Sequence, residues 1–291
     1  RIQTDPSLQI PYIIQASLGV ETNPFKLFRM TTNYQYQRGV HLLHGRNLNA
    51  PIPGIGRPDP LVGNITNIES SAYSSGHRLM INVGPAKFVQ GLFWNINCLL
   101  MKVSNEADSP FSLPSNNFDL RADRGPAATD FRHLFSGFIS KRLPSGFSIS
   151  TIFQTTSARP YNITTGFDDN GDTVINDRPL GVARNSARSK ASWEIGARLS
   201  WGVDFGPDQQ PAAGGPQIRM VRVGGGDGAA PPSLPGMAAK KYRLEFYAQA
   251  FNLLNHANLG AFSGVMTSPF FGQATSAQPP RRMELGLRFN F

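Results

Sequence analysis

The stretch Ala191-Ser-Trp-Glu-Ile-Gly-Ala-Arg-Leu-Ser-Trp-Gly-Val-Asp-Phe205 alternates without a break. Successive side chains of a strand point to opposite faces, so Trp193, Ile195, Ala197, Leu199, Trp201, Val203 and Phe205 share one face. Ser192, Glu194, Gly196, Arg198, Ser200, Gly202 and Asp204 share the other. One wholly apolar face, aromatic at both ends, fits a strand with its back to hydrocarbon, its front to a watery lumen and its ends at the two interfaces.

The same pattern recurs outward from there. Met283, Leu285, Leu287, Phe289 and Phe291 oppose Arg282, Glu284, Gly286, Arg288 and Asn290. Tyr242, Leu244, Phe246, Ala248 and Ala250 oppose Arg243, Glu245, Tyr247 and Gln249, and Phe147, Ile149 and Phe153 oppose Ser148, Ser150 and Gln154. Weaker alternation marks 11–20, 27–37, 77–84, 91–104 and 131–143, with Asn33, Gln35, Asn82, Asn95 and Asn97 on the inferred lumen side. Connectors alternate between short (21–26, 85–90, 144–146) and long (38–74, 105–128, 158–190, 252–280), the asymmetry of tight inner turns and long outer loops. The Gly-, Pro- and Ala-rich stretch 206–239 breaks that alternation and reads as a flexible turn.

Composition agrees. Charged residues are 16% and hydrophobic residues 40%, with 29 Gly, 23 Pro and 20 Phe, yet the mean hydropathy is only -0.25. Alternating lipid-facing and lumen-facing residues average out in this way, whereas spanning helices need roughly 18 or more consecutive apolar residues, which are absent. The net charge of +9 is spread over isolated arginines and makes no single basic face, which excludes a nucleic-acid partner. The lone Cys98 excludes an internal disulfide or a cysteine metal cluster. The fold class expected over 1–291 is therefore all-β: an antiparallel transmembrane β-barrel of the bacterial outer membrane, in contact with its lipid. An odd set of about nine strands, with no signal-peptide pattern ahead of it, predicts an incomplete C-terminal portion with strands upstream.

Several stretches resemble the large Oar-like TonB-dependent receptors. They are Arg38-Gly-Val-His-Leu-Leu with Arg46-Asn-Leu-Asn-Ala-Pro, Leu113-Pro-Ser-Asn-Asn, and Asp119-Leu-Arg-Ala-Asp-Arg-Gly. Further along come Arg159-Pro-Tyr-Asn-Ile-Thr-Thr-Gly, Asp168-Asp-Asn-Gly-Asp-Thr, Asn176-Asp-Arg-Pro, Phe251-Asn-Leu-Leu-Asn-His-Ala-Asn and Ser268-Pro-Phe-Phe-Gly-Gln-Ala-Thr. Asp130-Phe-Arg-His-Leu and the stretch before Cys98 depart from the family's pattern. The resemblance implies a parent with a regulatory domain, a plug and a barrel of about 22 strands that takes up a scarce ligand. It further implies the TonB complex as a partner through upstream segments, and Phe291 as part of the signal read by the barrel-assembly machinery.

For metal chemistry the sharpest cluster is Asp168, Asp169, Asn170, Asp172, Asn176 and Asp177. Hard oxygen ligands at alternate positions suit Ca²⁺, with Asp168, Asn170, Asp172 and Asp177 as the candidate ligands. Thr173 stands where an EF-hand loop has glycine and Pro179 where it has the bidentate Glu, so a solvated turn is the competing reading. No other cofactor is indicated: the five His are scattered, no G-x-S-x-G is present, and Gly224-Gly-Gly-Asp-Gly lacks the Lys and Ser or Thr of a phosphate loop. The expectation is a non-enzymatic transporter barrel. Its rivals are a surface barrel for adhesion or secretion and a soluble glycan-binding β protein.

Overall fold

The computed structural model describes residues 1–87, 89, 91–208 and 240–291. Among the described residues nine long strands run in chain order: β1 Tyr12–Thr22, β2 Phe28–Asn47, β3 Thr66–Pro85, β4 Leu92–Asn105, β5 His133–Arg142, β6 Phe147–Thr156, β7 Ser192–Asp208, β8 Lys240–Phe251 and β9 Arg282–Asn290. Along the sheet each is flanked by its sequence neighbours, which gives an antiparallel meander with β1 and β9 at its edges. A short strand, Ile2–Thr4, lies parallel to Thr66–Ile68 outside this order. No described helix is long and apolar enough to cross a membrane.

Register confirms the faces read from the sequence. Leu199 stands opposite Ile149 on one side and Ala248 on the other, while Arg198 stands opposite Ser150 and Gln249. Leu199 is 48% exposed and Arg198 only 7%. The apolar face continues onto β9, where Leu285 is 87% exposed. No second layer covers it among the described residues, unlike the packed faces a soluble β-sandwich would show. Asn82, Asn95 and Asn97 do share the polar face, where their amides bond one another at 2.5–3.3 Å.

At one end of the sheet the connections are tight. Ser145 (φ 60°) and Gly146 (φ 82°) turn β5 into β6. A Cβ at Gly146 would lie 2.4 Å from the Gly202 carbonyl, so the close approach of β7 demands glycine there. Trp201 caps the same turn by donating its indole N–H to the Ser145 carbonyl at 3.0 Å, which leaves the ring at the sheet margin as an interface aromatic requires.

Two expectations need correction. Residues 38–47 and 66–74, read as parts of one long loop, extend β2 and β3, so the true loop is only 48–65. The pairing there carries irregularities at Gly39/Leu42 and Leu42/His44, with His41 at φ 58°. A bulge shifts the two-residue period, so alternation fails where the strand continues. β7 likewise continues to Asp208. From residue 209 on, the stretch expected to be a flexible turn lies outside the described residues.

Candidate functional site

All the long described loops leave from the opposite end of the meander, and there they form the buried centre of the molecule. That centre is polar: Asn47, Asn49, Asn258 and Asp130 are the largest fully buried side chains. Burying such groups is tolerated only when each finds partners, and the geometry shows how they do.

Asn117 bonds both backbone groups of Asn47, its Oδ1 accepting from the N–H at 2.8 Å and its Nδ2 donating to the carbonyl at 2.7 Å. Asn258 does the same to Trp193 at 2.9 and 2.8 Å. Asn252 does it to His256, both at 2.9 Å. The amides of Asn117 and Asn258 therefore replace a strand partner where the ladder has stopped, and that of Asn252 closes the start of its own loop. Asn49 gathers the 48–65 loop, accepting from the Asp59 N–H and donating to the carbonyls of Asp59, Val62 and Gly63.

The stretches that carried the family resemblance meet in this cluster. Asn176 donates to the carbonyls of Leu113 and Pro114 at 3.0 and 3.2 Å. Arg178 bonds Asp123 at 2.5 Å, and Asp123 accepts from the Ser115 N–H and hydroxyl. Arg184 pairs with Asp108 and donates to the Asn105 carbonyl. Between them lies a cavity of about 200 Å³ bordered by His44, Asp108, Asp123, Asn176, Arg178 and Arg184. His44 is buried there with both ring nitrogens engaged, by the Gly45 carbonyl and the Ser71 hydroxyl.

Asp130, in a stretch that departs from the family pattern, is a hub that the sequence reading missed. It is 0% exposed. One carboxylate oxygen accepts from the Val103 N–H at 2.8 Å; the other meets Arg188 at 2.7 Å and Arg132 at 2.9 Å. Burial works against its ionisation, yet the bonds from Arg188, Val103 and Arg132 outweigh it and hold the carboxyl below its usual range. Its partners lie as far as 58 residues away, so no local pattern could have announced it.

The candidate calcium residues do come together in one loop. Asp168 accepts from the N–H groups of Asp172 and Thr173, Asn170 Oδ1 from that of Asp172, and Asp172 Oδ1 from that of Val174. Asp177 accepts from the N–H groups of Asp169 and Asn170 and from the Asn170 amide. Among the described residues no three His, Cys, Asp or Glu side chains converge as a metal-binding group. Phe291 follows β9, 88% exposed, with its ring 6.0 Å from that of Phe289.

An uncovered apolar face, a polar opposite face and loops gathered at one end define an outer-membrane barrel wall. The sequence matches the outer membrane beta barrel domain family over residues 2–284, and the chain belongs to that family. It is a protein of the outer membrane. Among solved structures it is similar to the outer membrane transporter YddB from Escherichia coli, with TM-score 0.61 and 15% identity over 98% of this chain and 33% of that one. It is also similar to the FrpB iron transporter from Neisseria meningitidis, with TM-score 0.52 and 10% identity over 99% of this chain and 32% of that one. The chain thus spans about a third of the length of these structures. No curated protein sequence matches it.

Proposed function

We propose that this chain is the C-terminal barrel wall of a TonB-dependent receptor of the Oar-like type, which imports a scarce ligand through a plugged lumen and is not an enzyme. The observation that carries this reading is the fit of nearly the whole meander onto about a third of an outer membrane transporter, with β1 and β9 left as open edges. Supporting it, the resemblance-bearing loops interlock into one rim, a scaffold able to hold a capturing surface in place. A groove of about 740 Å³ beside that rim, bordered by Gln154, Arg159, Tyr161, Trp193, Glu194 and Phe262, offers aromatic and polar contacts for a ligand. Partners on this reading are TonB, acting through upstream segments, and the barrel-assembly machinery.

The test compares three strains across a panel of scarce nutrients: wild type, one lacking the parent gene and one lacking TonB. The reading expects both mutants to fail on the same nutrient. Loss of surface attachment or secretion in the parent-gene mutant, with nutrient uptake intact, would replace it with the adhesion or secretion reading.

A further inference from the structure

We propose that the loop 168–177 holds a Ca²⁺ ion between the side chains of Asp168, Asn170 and Asp172, with Asp177 shaping the loop instead of binding the ion. These three side chains occupy the first, third and fifth positions of a calcium-loop pattern. The sixth position, where such loops need glycine, is Thr173, and its φ of 71° shows that the required left-handed turn is made without glycine. The missing terminal Glu also matters less than the sequence suggested. Asp177 closes the loop from inside by accepting the N–H groups of residues 169 and 170, and its bond to the Asn170 amide nitrogen fixes which way Asn170 Oδ1 points.

Loop shape alone would not identify a ligand. The independent observation is Asp172: the residue is 2% exposed, and its Oδ2 has no hydrogen-bond partner. A buried carboxylate oxygen without a completed hydrogen bond is costly, and a bare cation is a partner able to satisfy it. The charge around it points the same way. The nearest arginine in sequence, Arg178, is committed to Asp123. Among the described residues Asp168, Asp172 and Asp177 form no ion pair of their own.

Two carboxylates and one amide form a modest donor set, with backbone carbonyls or water completing the six to eight oxygens Ca²⁺ takes. Affinity should fall in the class of extracellular modules, roughly 10⁻⁴–10⁻³ M. The loop is anchored on both flanks, by Asn170 to the Ser115 carbonyl at 2.7 Å and by Thr173 to Asn64 at 2.8 Å. Ion binding would therefore stiffen the junction of three outer loops.

The test uses the full-length parent in outer-membrane vesicles, with limited proteolysis across 166–182 in millimolar calcium, in millimolar magnesium and in chelator. At ten times Kd the open loop population falls about tenfold, so cleavage should slow about tenfold in calcium alone. Asp172→Asn should abolish that dependence while still folding, since a neutral amide relieves the local repulsion. Asp169→Asn, which changes an exposed carboxylate next door, should preserve it. Equal cleavage with calcium and chelator in the wild type would overturn the site, as would equal loss of protection in both variants, which would mean diffuse charge screening. Protection gained on acidification but not with calcium would overturn it too, by showing that Asp172 is satisfied by a proton.

Discussion

The Arg198 guanidinium lies 4.0 Å from the centroid of the Tyr247 ring and 3.2 Å from Glu245. Tyr247 in turn lies over Gly286, where a Cβ would come within 2.3 Å of the ring. A cation, an aromatic ring and a missing side chain on three successive strands thus pack as one layer on the lumen face.

This layer and its neighbour Leu199 make a paired prediction. Leu199→Arg puts a charge toward lipid and should cost roughly 2–4 kcal/mol, seen as reduced barrel assembly. Arg198→Gln, at a residue buried against Glu245, should cost about 1–3 kcal/mol in denaturant unfolding, partly recovered by adding Glu245→Gln. Cysteines at positions 195, 197 and 199 should react with lipid-soluble labels, and those at 194, 196 and 198 should not. Equal labelling of both sets would contradict the face assignment.

Asp130→Asn should loosen the rim. Removing the charge leaves Arg188 half-buried with its ion pair gone, a change worth about 3–5 kcal/mol where pairs are buried. Hydrogen exchange should rise in 103–132 and 157–190 while β7 and β8 stay protected. Uniform loosening of the whole barrel would show that Asp130 is not a local hub.

Two loop carboxylates should respond to acid in opposite directions. Asp130 is held below the usual carboxylate range, so its stabilisation is complete above the pKa it has in the unfolded chain and is lost as pH falls through its lower folded pKa. Asp172 is raised above that range, so the loop carrying it is most stable below the unfolded pKa and loses stability as pH rises through the folded one. In calcium-free buffer, acidification toward the ordinary aspartate pKa of about 4 should slow exchange in 168–177 and leave the Asp130 contacts unchanged. Loss of the Asp130 contacts before any change at 168–177 would reverse both assignments.

Produced alone, residues 1–291 should not yield a heat-modifiable, protease-resistant barrel. The outer edges of β1 and β9 would leave backbone groups unsatisfied in hydrocarbon at several kcal/mol each. If the proposed assembly signal includes Phe291, deleting it should lower the amount of barrel assembled in the outer membrane, and unchanged levels would remove that role.

Legibility in the sequence tracks the membrane. Where one face meets lipid and the other the lumen, as along Trp193–Phe205, chemistry alternates with period two and the strand can be read directly. Above the lipid no face has to be wholly apolar, so 38–47 and 66–74 look like loop although they are paired strand. The bulge near His41 removes the alternation that remains. In the loops the acidic cluster at 168–177 was visible because its members are adjacent, whereas Asp130 with Arg188, or Asn117 with Asn47, is joined only by the fold.

The three asparagines that grip both backbone groups of a single residue have an evolutionary consequence. A strand partner must match its neighbour over many positions, but an amide side chain needs only to arrive at one. Around Trp193 the sheet's last hydrogen bonds depend on Asn258, not on the length or composition of the loop that Asn258 opens. That loop can lengthen, shorten or diversify without unzipping the wall beneath. The loop end of this outer-membrane chain can thus change in sequence on a foundation fastened by single residues.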